Sequence, residues 1–87
     1  MNRMVYAMDA FLRDEHSRRP CSIRISDAHL SESGYFYCDV SFAPLLCEDE
    51  RICAESDEKA VLLAFKFLRL ISLGLQVEDE DGNAVVI

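Results

Sequence analysis

The strictest pattern in this chain is an alternation from Tyr35 to Phe42. Apolar residues occupy every second position of this segment, and Tyr, Asp and Ser occupy the positions between them. Because successive side chains of a strand point to opposite faces, a period of two predicts a β-strand with one face on a core. Pro44 follows, and a proline is expected only at the end or the edge of a strand. The fold must therefore contain a sheet that buries one face.

Three further segments predict strands that pair with this one. Met4–Arg13 alternates imperfectly and favours a first strand covered on both faces, although Met and Ala also favour a helix. A polar turn, Asp14–Pro20, leads to a half-buried strand over Cys21–Ser26. Leu45–Ala54 is a weaker fourth strand, since an acidic stretch interrupts it.

One long helix follows the strands. Ser56 is a good N-cap, and Asp57 and Glu58 fall in the first turn, where the helix dipole favours negative charge. We expect the helix to run to about Leu73 and to stop at Gly74. A short closing hairpin is expected after it: a strand over Leu75–Glu78, a turn centred on Asp81-Gly82, and a terminal strand over Ala84–Ile87.

These elements predict an α+β fold: an antiparallel meander of about four strands, one long helix packed on one face, and a short C-terminal hairpin. With 87 residues, the chain has room for a single domain, residues 1–87, with one core.

The surface of the predicted helix is more apolar than one sheet requires. At about 100° per residue, half of the circumference is an unbroken apolar arc that predicts the core face: Leu70, Leu63, Phe67, Ala60, Ile71, Ala64, Leu68 and Val61. The other half is charged, yet it also holds Leu62, Phe65 and Leu73. Scattered surface hydrophobes are one interpretation. The interpretation that we favour is a second contact surface, for a homodimer or another protein.

Net charge excludes several classes of function. The chain carries a net charge of −7, which argues against direct binding of nucleic acid because phosphate binding needs a basic surface. The charge is uneven. Residues 1–26 carry five arginines and three acids, or +2, whereas residues 27–87 carry four cations and 13 acids, or −9.

Two acidic runs hold much of this negative charge. The first is Glu48, Asp49 and Glu50, and the second is Glu78, Asp79, Glu80 and Asp81. Both are consistent with solvated turns. Alternatively, they form an acidic patch that steers and binds a basic protein partner, and we take these seven residues as candidate partner-binding residues.

The sequence predicts neither catalysis nor a cofactor. The gaps between Cys21, Cys38, Cys47 and Cys53 contain no Cys-x-x-Cys pair, and neither histidine stands at ligand spacing from them, so no metal site is expected. Free thiols are favoured over a disulfide, with Cys21 and Cys38 in the core. The glycines are isolated and form no phosphate loop. We expect no catalytic residue and no enzyme activity.

The cellular setting follows from the apolar runs. None reaches the roughly 18 residues needed to span a membrane, and the N-terminal segment has no secretory cleavage pattern. We therefore expect a cytoplasmic protein without membrane contact.

The layout resembles that of small bacterial immunity proteins, which neutralise a partner toxin, and more loosely that of phage-encoded inhibitors. The likeness lies in size, acidic charge, a meander plus a helix, and the segment Ala54–Phe65 that enters the helix. The resemblance implies a non-enzymatic inhibitor that binds a basic toxin or enzyme. The alternative is a structural homodimer or a small subunit of a larger complex, and a third hypothesis is a phage-type inhibitor of a bacterial defence nuclease.

Overall fold

A computed structural model describes residues 4–87. This part of the chain forms six strands and one helix, in the order β1 (Met4–Arg13), β2 (Arg18–Ser26), β3 (His29–Leu30), β4 (Phe36–Ala43), β5 (Glu50–Ala54), α1 (Asp57–Ile71) and β6 (Gln76–Glu78).

All six strands belong to one antiparallel sheet. β1 pairs with β2, β2 with β4, and β4 with β5, while β6 returns to pair with the far edge of β1. Val40 of β4 lies opposite Ile25 on one edge and Glu50 on the other, so β5 and β2 flank β4. The short β3 continues the β2 side of β4, because Tyr37 has His29 on one edge and Cys53 on the other. β5 and β6 therefore occupy opposite ends of a curled sheet.

The predicted α+β class is confirmed, and several element boundaries differ. The first strand has the predicted bounds and is not a helix. β2 begins at Arg18, earlier than expected, because a tight turn lets Arg13 pair with Arg18. In the weak fourth segment only Glu50–Ala54 is a strand. The C-terminal segment forms a single bridge, between Ala84 and Glu78, instead of a strand. The short β3 was not predicted.

The helix has the predicted caps. The Ser56 side chain accepts a hydrogen bond from the Lys59 N–H, and Asp57 and Glu58 occupy the first turn. The helix ends at Ile71, two residues earlier than expected. Ser72 closes it with its N–H and hydroxyl on the Leu68 carbonyl, and Gly74 follows with a φ of 81°. This positive φ explains the glycine, since other residues rarely adopt it.

The core lies between α1 and the concave face of the sheet. The helix packs mainly over β4 and β5 and touches β2 less. Its contact face is centred on Ala60, Ala64 and Leu68, which are fully buried against the sheet. The remaining core comprises Ala10, Leu12, Cys21, Ile23, Ile25, Cys38, Val40, Phe42, Ala54 and Val77.

One residue of the predicted core arc is not in the core. Leu70 is 65% exposed, so its assignment to the core face was wrong. Leu70 lies about 140° around the axis from Phe65, whose ring faces Tyr6 of β1. It therefore projects from the opposite flank of the helix, on the β5 side, where the sheet ends.

Candidate protein-binding surfaces

The first acidic run is fully available to a partner. Glu48 and Asp49 lie in the loop before β5, and Glu50 begins that strand; all three side chains are exposed. None of them forms an ion pair with another residue in the 4–87 range. The nearest cation in sequence, Arg51, is already engaged. Its Nε donates to Asp39 Oδ1 at 3.0 Å on the convex face of the sheet.

Further acids stand at the other end of β5, where the helix begins. Asp57 and Glu58 are exposed and, within the described chain, make no ion pair. With Asp27 and Val61 they line a shallow hollow of about 330 Å³. From the sequence, Asp57 and Glu58 were expected only to interact favourably with the helix dipole, and Asp27 was not a candidate. Its sequence position gives no signal, because the β2–β3 connection brings it to the helix.

We define the acidic edge as Glu48, Asp49, Glu50, Asp57 and Glu58. A strand of five residues such as β5 is roughly 17 Å long, so the two ends of the acidic edge lie within the span of one standard interface. Since β5 has no strand neighbour other than β4 between Met4 and Ile87, this group lies along an outer edge of the sheet.

The second acidic run is largely used within the fold. Both Glu78 carboxylate oxygens accept hydrogen bonds from Arg13 Nε, at 2.7 and 2.9 Å, and Arg18 Nε lies 3.4 Å from Oε1. Asp79 Oδ1 accepts the backbone N–H groups of Asp81 and Asn83 and so shapes its own turn. Within this run, Glu80 and Asp81 are exposed, whereas Glu78 and Asp79 are partly buried.

The two acidic runs do not form one patch along the strands. The first precedes β5 and the second follows β6, and these strands lie at opposite ends of the sheet. The second run also neighbours Arg18, whose Nη2 donates to the Asp79 and Glu80 carbonyls at 2.7 and 3.2 Å. The electrostatic field around it is therefore partly neutralised, unlike that of the acidic edge.

The three residues of the predicted contact surface on the helix differ in exposure. Leu62 and Leu73 are 51% and 74% exposed. Phe65 is only half-buried by the chain, but its ring stacks edge-on against Tyr6, with 5.6 Å between ring centroids. Phe65 thus has a packing role within the protein, and the exposed leucines are Leu62, Leu70 and Leu73.

The convex face of the sheet carries a network of aromatic and charged side chains. Tyr37 contacts two of these side chains. The Arg51 guanidinium lies 3.9 Å from the centroid of the Tyr37 ring, and the centroid of the His29 ring lies 5.5 Å from it. The hydrogen bond that Arg51 donates to Asp39 raises the pKa of the guanidinium. Nearby, Arg24 Nη2 donates to Asp9 Oδ1 at 2.8 Å. These groups satisfy one another, so the face offers few unpaired charges.

A hollow of about 440 Å³ lies at one end of the convex face. Phe11, Pro20 and Pro44 give it an apolar floor, and Asp9 and Glu80 stand at its rim. The Arg18 guanidinium lies 3.8 Å from the Phe11 ring centroid and so covers part of this aromatic surface.

The cysteines divide into two classes. Cys21 and Cys38 are buried in the core, as predicted, and burial raises the pKa of both thiols. Cys47 and Cys53 are exposed, and all four are free thiols. Between Met4 and Ile87, no three His, Cys, Asp or Glu side chains are grouped closely enough to hold a metal ion.

Comparisons with protein-family models, with curated proteins and with solved structures find no match to this chain. Among residues 4–87 there is no helix with the length and apolar character needed to cross a membrane.

Proposed function

We propose that this chain is a non-enzymatic, cytoplasmic inhibitor of the immunity type, which neutralises a basic toxin by covering its active surface. The observation that carries the proposal is the distribution of ion pairs. Five of the eight cations in residues 4–87 pair with carboxylates of the same chain: Arg13, Arg18, Arg24, Arg51 and Lys59. The acidic edge has no such partner among the described residues.

Unpaired carboxylates at an exposed edge suit a basic partner. Enzymes that act on nucleic acids carry Lys and Arg at the surface that binds phosphate. A protein that presents five carboxylates along about 17 Å can bind such a surface in place of the nucleic acid. Long-range attraction also raises the association rate, which matters for an inhibitor that must act before the toxin does.

The proposal assigns different roles to the two acidic runs. Glu48, Asp49 and Glu50 contact the partner, together with Asp57 and Glu58. Glu78 and Asp79 stabilise the fold, while Glu80 and Asp81 contribute only to the general negative field. A phage-type inhibitor of a defence nuclease would use the same edge, because its target also carries a basic nucleic-acid site.

The test uses the product of the toxin gene expected beside this gene. Expression of that product alone should stop bacterial growth, and co-expression of this chain should restore it. Purified proteins then give the association rate by stopped flow at low and high salt. Growth arrest that persists despite co-expression would refute the proposal.

Two double variants with the same change in net charge separate the acidic edge from the second run. Glu48→Lys with Asp49→Lys should slow association by about 10- to 100-fold at low salt, because the steering charge is reversed. Glu80→Lys with Asp81→Lys is the matched control and should have a much smaller effect. The difference should shrink in 1 M salt, where the screening length is about 3 Å. Equal slowing by both would show that only total charge matters.

The alternative, a structural homodimer or a small subunit, rests on the exposed leucines of α1 and of the turn that follows it. Leu62, Leu70 and Leu73 are each more than half exposed. If this surface mediates assembly, Leu62→Glu should abolish a complex that light scattering detects in the unmodified protein.

A further inference from the structure

The longest strand of the sheet has an open edge. β1 comprises ten residues, Met4–Arg13, but β6 pairs only with Phe11–Arg13. On that edge, no strand in the described chain pairs with Met4–Ala10. The C-terminal segment does not fill the space, because Ala84 pairs with Glu78 on the far side of β6.

The pairing of β6 shows which backbone groups face this opening. The Val85 N–H donates to the Val77 carbonyl at 2.9 Å, so the backbone groups of Val77 point away from β1. The groups of Gln76 and Glu78 then point toward β1 and meet those of Arg13 and Phe11. Alternation along β1 places the N–H and carbonyl groups of Ala7 and Asp9 on the open edge. They are available to another strand.

The open edge carries little of the charge that usually protects sheet edges. No Lys or Pro occurs in Met4–Ala10, and Asp9 is paired with Arg24 at 2.8 Å. Met4 and Val5 are 49% and 40% exposed. A bulge between Met4 and Tyr6 bends the start of β1, so the regular part of the edge is Tyr6–Ala10.

The charge distribution favours a second copy of this chain as the occupant. Residues 4–26, the β1–β2 hairpin, contain four arginines and three acids, which gives +1, whereas residues 27–87 carry −9. Two copies of a protein with a net charge of −7 repel each other at most orientations. Contact through the hairpin keeps the acidic edges of the two copies apart, because β5 lies at the other end of the sheet. A strongly basic partner would gain nothing at this edge.

We infer that two copies of this chain associate through antiparallel pairing of β1 with β1. Such pairing requires a two-fold axis perpendicular to the sheet, so that residues facing the core in one copy lie opposite core-facing residues in the other. An axis beside Met8 meets this condition and gives full overlap of the regular stretch Tyr6–Ala10. Ala7 then exchanges both of its open-edge hydrogen bonds with the second copy's Asp9, and Tyr6 lies opposite the second copy's Ala10.

This arrangement extends the sheet without disturbing the proposed inhibitor surface. Tyr6 and Met8 are half-buried on the concave face, and Tyr6 already contacts Phe65, so the second copy adds to an existing apolar cluster. The acidic edge follows β5, at the opposite end of the sheet. The dimer proposal and the inhibitor proposal can therefore be tested separately, and the failure of one does not refute the other.

Light scattering and two variants test the inference. The unmodified chain should approach twice 9.9 kDa as its concentration rises from about 10 μM to about 1 mM. Ala7→Pro removes a backbone donor that the monomer leaves unpaired, so the fold should be retained. The dimer dissociation constant should rise by about tenfold or more, because two hydrogen bonds across the axis are lost. Leu62→Glu is the control and should leave the dimer intact.

Hydrogen exchange provides a readout that does not depend on a variant. The Ala7 amide should become protected as concentration rises, whereas the Arg51 amide should not change. A monomer at the highest concentration overturns the inference. So does a dimer that survives Ala7→Pro, or one that only Leu62→Glu disrupts. Ala7 protection that is independent of concentration overturns it as well.

Discussion

Arg13 and Glu78, 65 residues apart in the chain, form a two-oxygen ion pair that ties β6 to β1. Arg13 Nε lies 2.7 and 2.9 Å from the two carboxylate oxygens, and the Glu78 side chain is only 14% exposed. The pair removes one carboxylate from the second acidic run. It also holds β6 against Phe11–Arg13 at one end of β1, and the rest of that edge of β1 stays open.

Loss of this carboxylate should destabilise the fold. Glu78→Gln weakens two charge-assisted hydrogen bonds and leaves Arg13 and Arg18 less well neutralised. We expect the free energy of unfolding to fall by about 1–2 kcal/mol, measured by urea denaturation. Glu80→Gln, at an exposed neighbouring position, should change it by less than about 0.5 kcal/mol. Equal effects would contradict a structural role for Glu78.

The Tyr6–Phe65 contact predicts a difference between two apolar residues on the same helix. Phe65→Ala removes an aromatic pair and part of the core, so it should cost about 2–3 kcal/mol. Leu62→Ala, at a position that is 51% exposed, should cost about 0.5 kcal/mol or less. Thermal or urea unfolding measures both. If Phe65→Ala is as stable as Leu62→Ala, the Phe65 side chain has no packing role in the core.

Asp14 should make stability depend on pH in the acid range. Hydrogen bonds from the His16 backbone, the Ser17 side chain and the Ser17 backbone hold the pKa of Asp14 below its ordinary value of 3.8. A lowered pKa in the folded state means that the ionised carboxylate stabilises the fold. This contribution is complete above pH 3.8 and disappears as the pH falls through the lower folded pKa.

Comparison with Asp14→Ala isolates that contribution. The difference in unfolding free energy between the two proteins should be constant near neutral pH and should shrink below pH 3.8. Urea denaturation across this range measures it. A difference that grows on acidification would have the wrong sign.

Thiol reactivity should separate the cysteines into two pairs. Cys47 and Cys53 are exposed and should react rapidly with a thiol reagent in the folded protein. Burial raises the pKa of Cys21 and Cys38 and blocks access, so they should react only on unfolding. Mass spectrometry after timed labelling identifies the modified residues. Rapid modification of Cys38 in the folded state would contradict its place in the core.

Local patterns in the sequence were enough to predict most elements. Alternation depends only on the geometry of a strand, and so the strand at Phe36–Ala43 was located within a residue. The Ser56 cap and the acids after it act within one helical turn, and they placed the start of α1 correctly. The burial of Cys21 and Cys38 followed from the same alternation.

Relationships between distant segments could not be predicted in this way. Leu70 belongs to the apolar arc of the helix, but the arc does not show where the sheet beneath the helix ends. Phe65 was expected at the surface, but its ring packs against Tyr6 of β1, a residue far away in the sequence. Similarly, the chain order gives no indication that the last strand pairs with the first.

The sequence by itself determined the α+β class, the helix with its caps, and the excess of negative charge. Only the tertiary structure decided which of those charges are free. Arg13 and Arg18 neutralise Glu78 because β6 crosses to β1, whereas the acidic edge follows β5 at the other end of the sheet. Periodicity predicts which face of a segment is buried, but it does not predict which segments become neighbours. Ion pairs form between neighbouring strands, and the packing of the whole chain sets which strands those are.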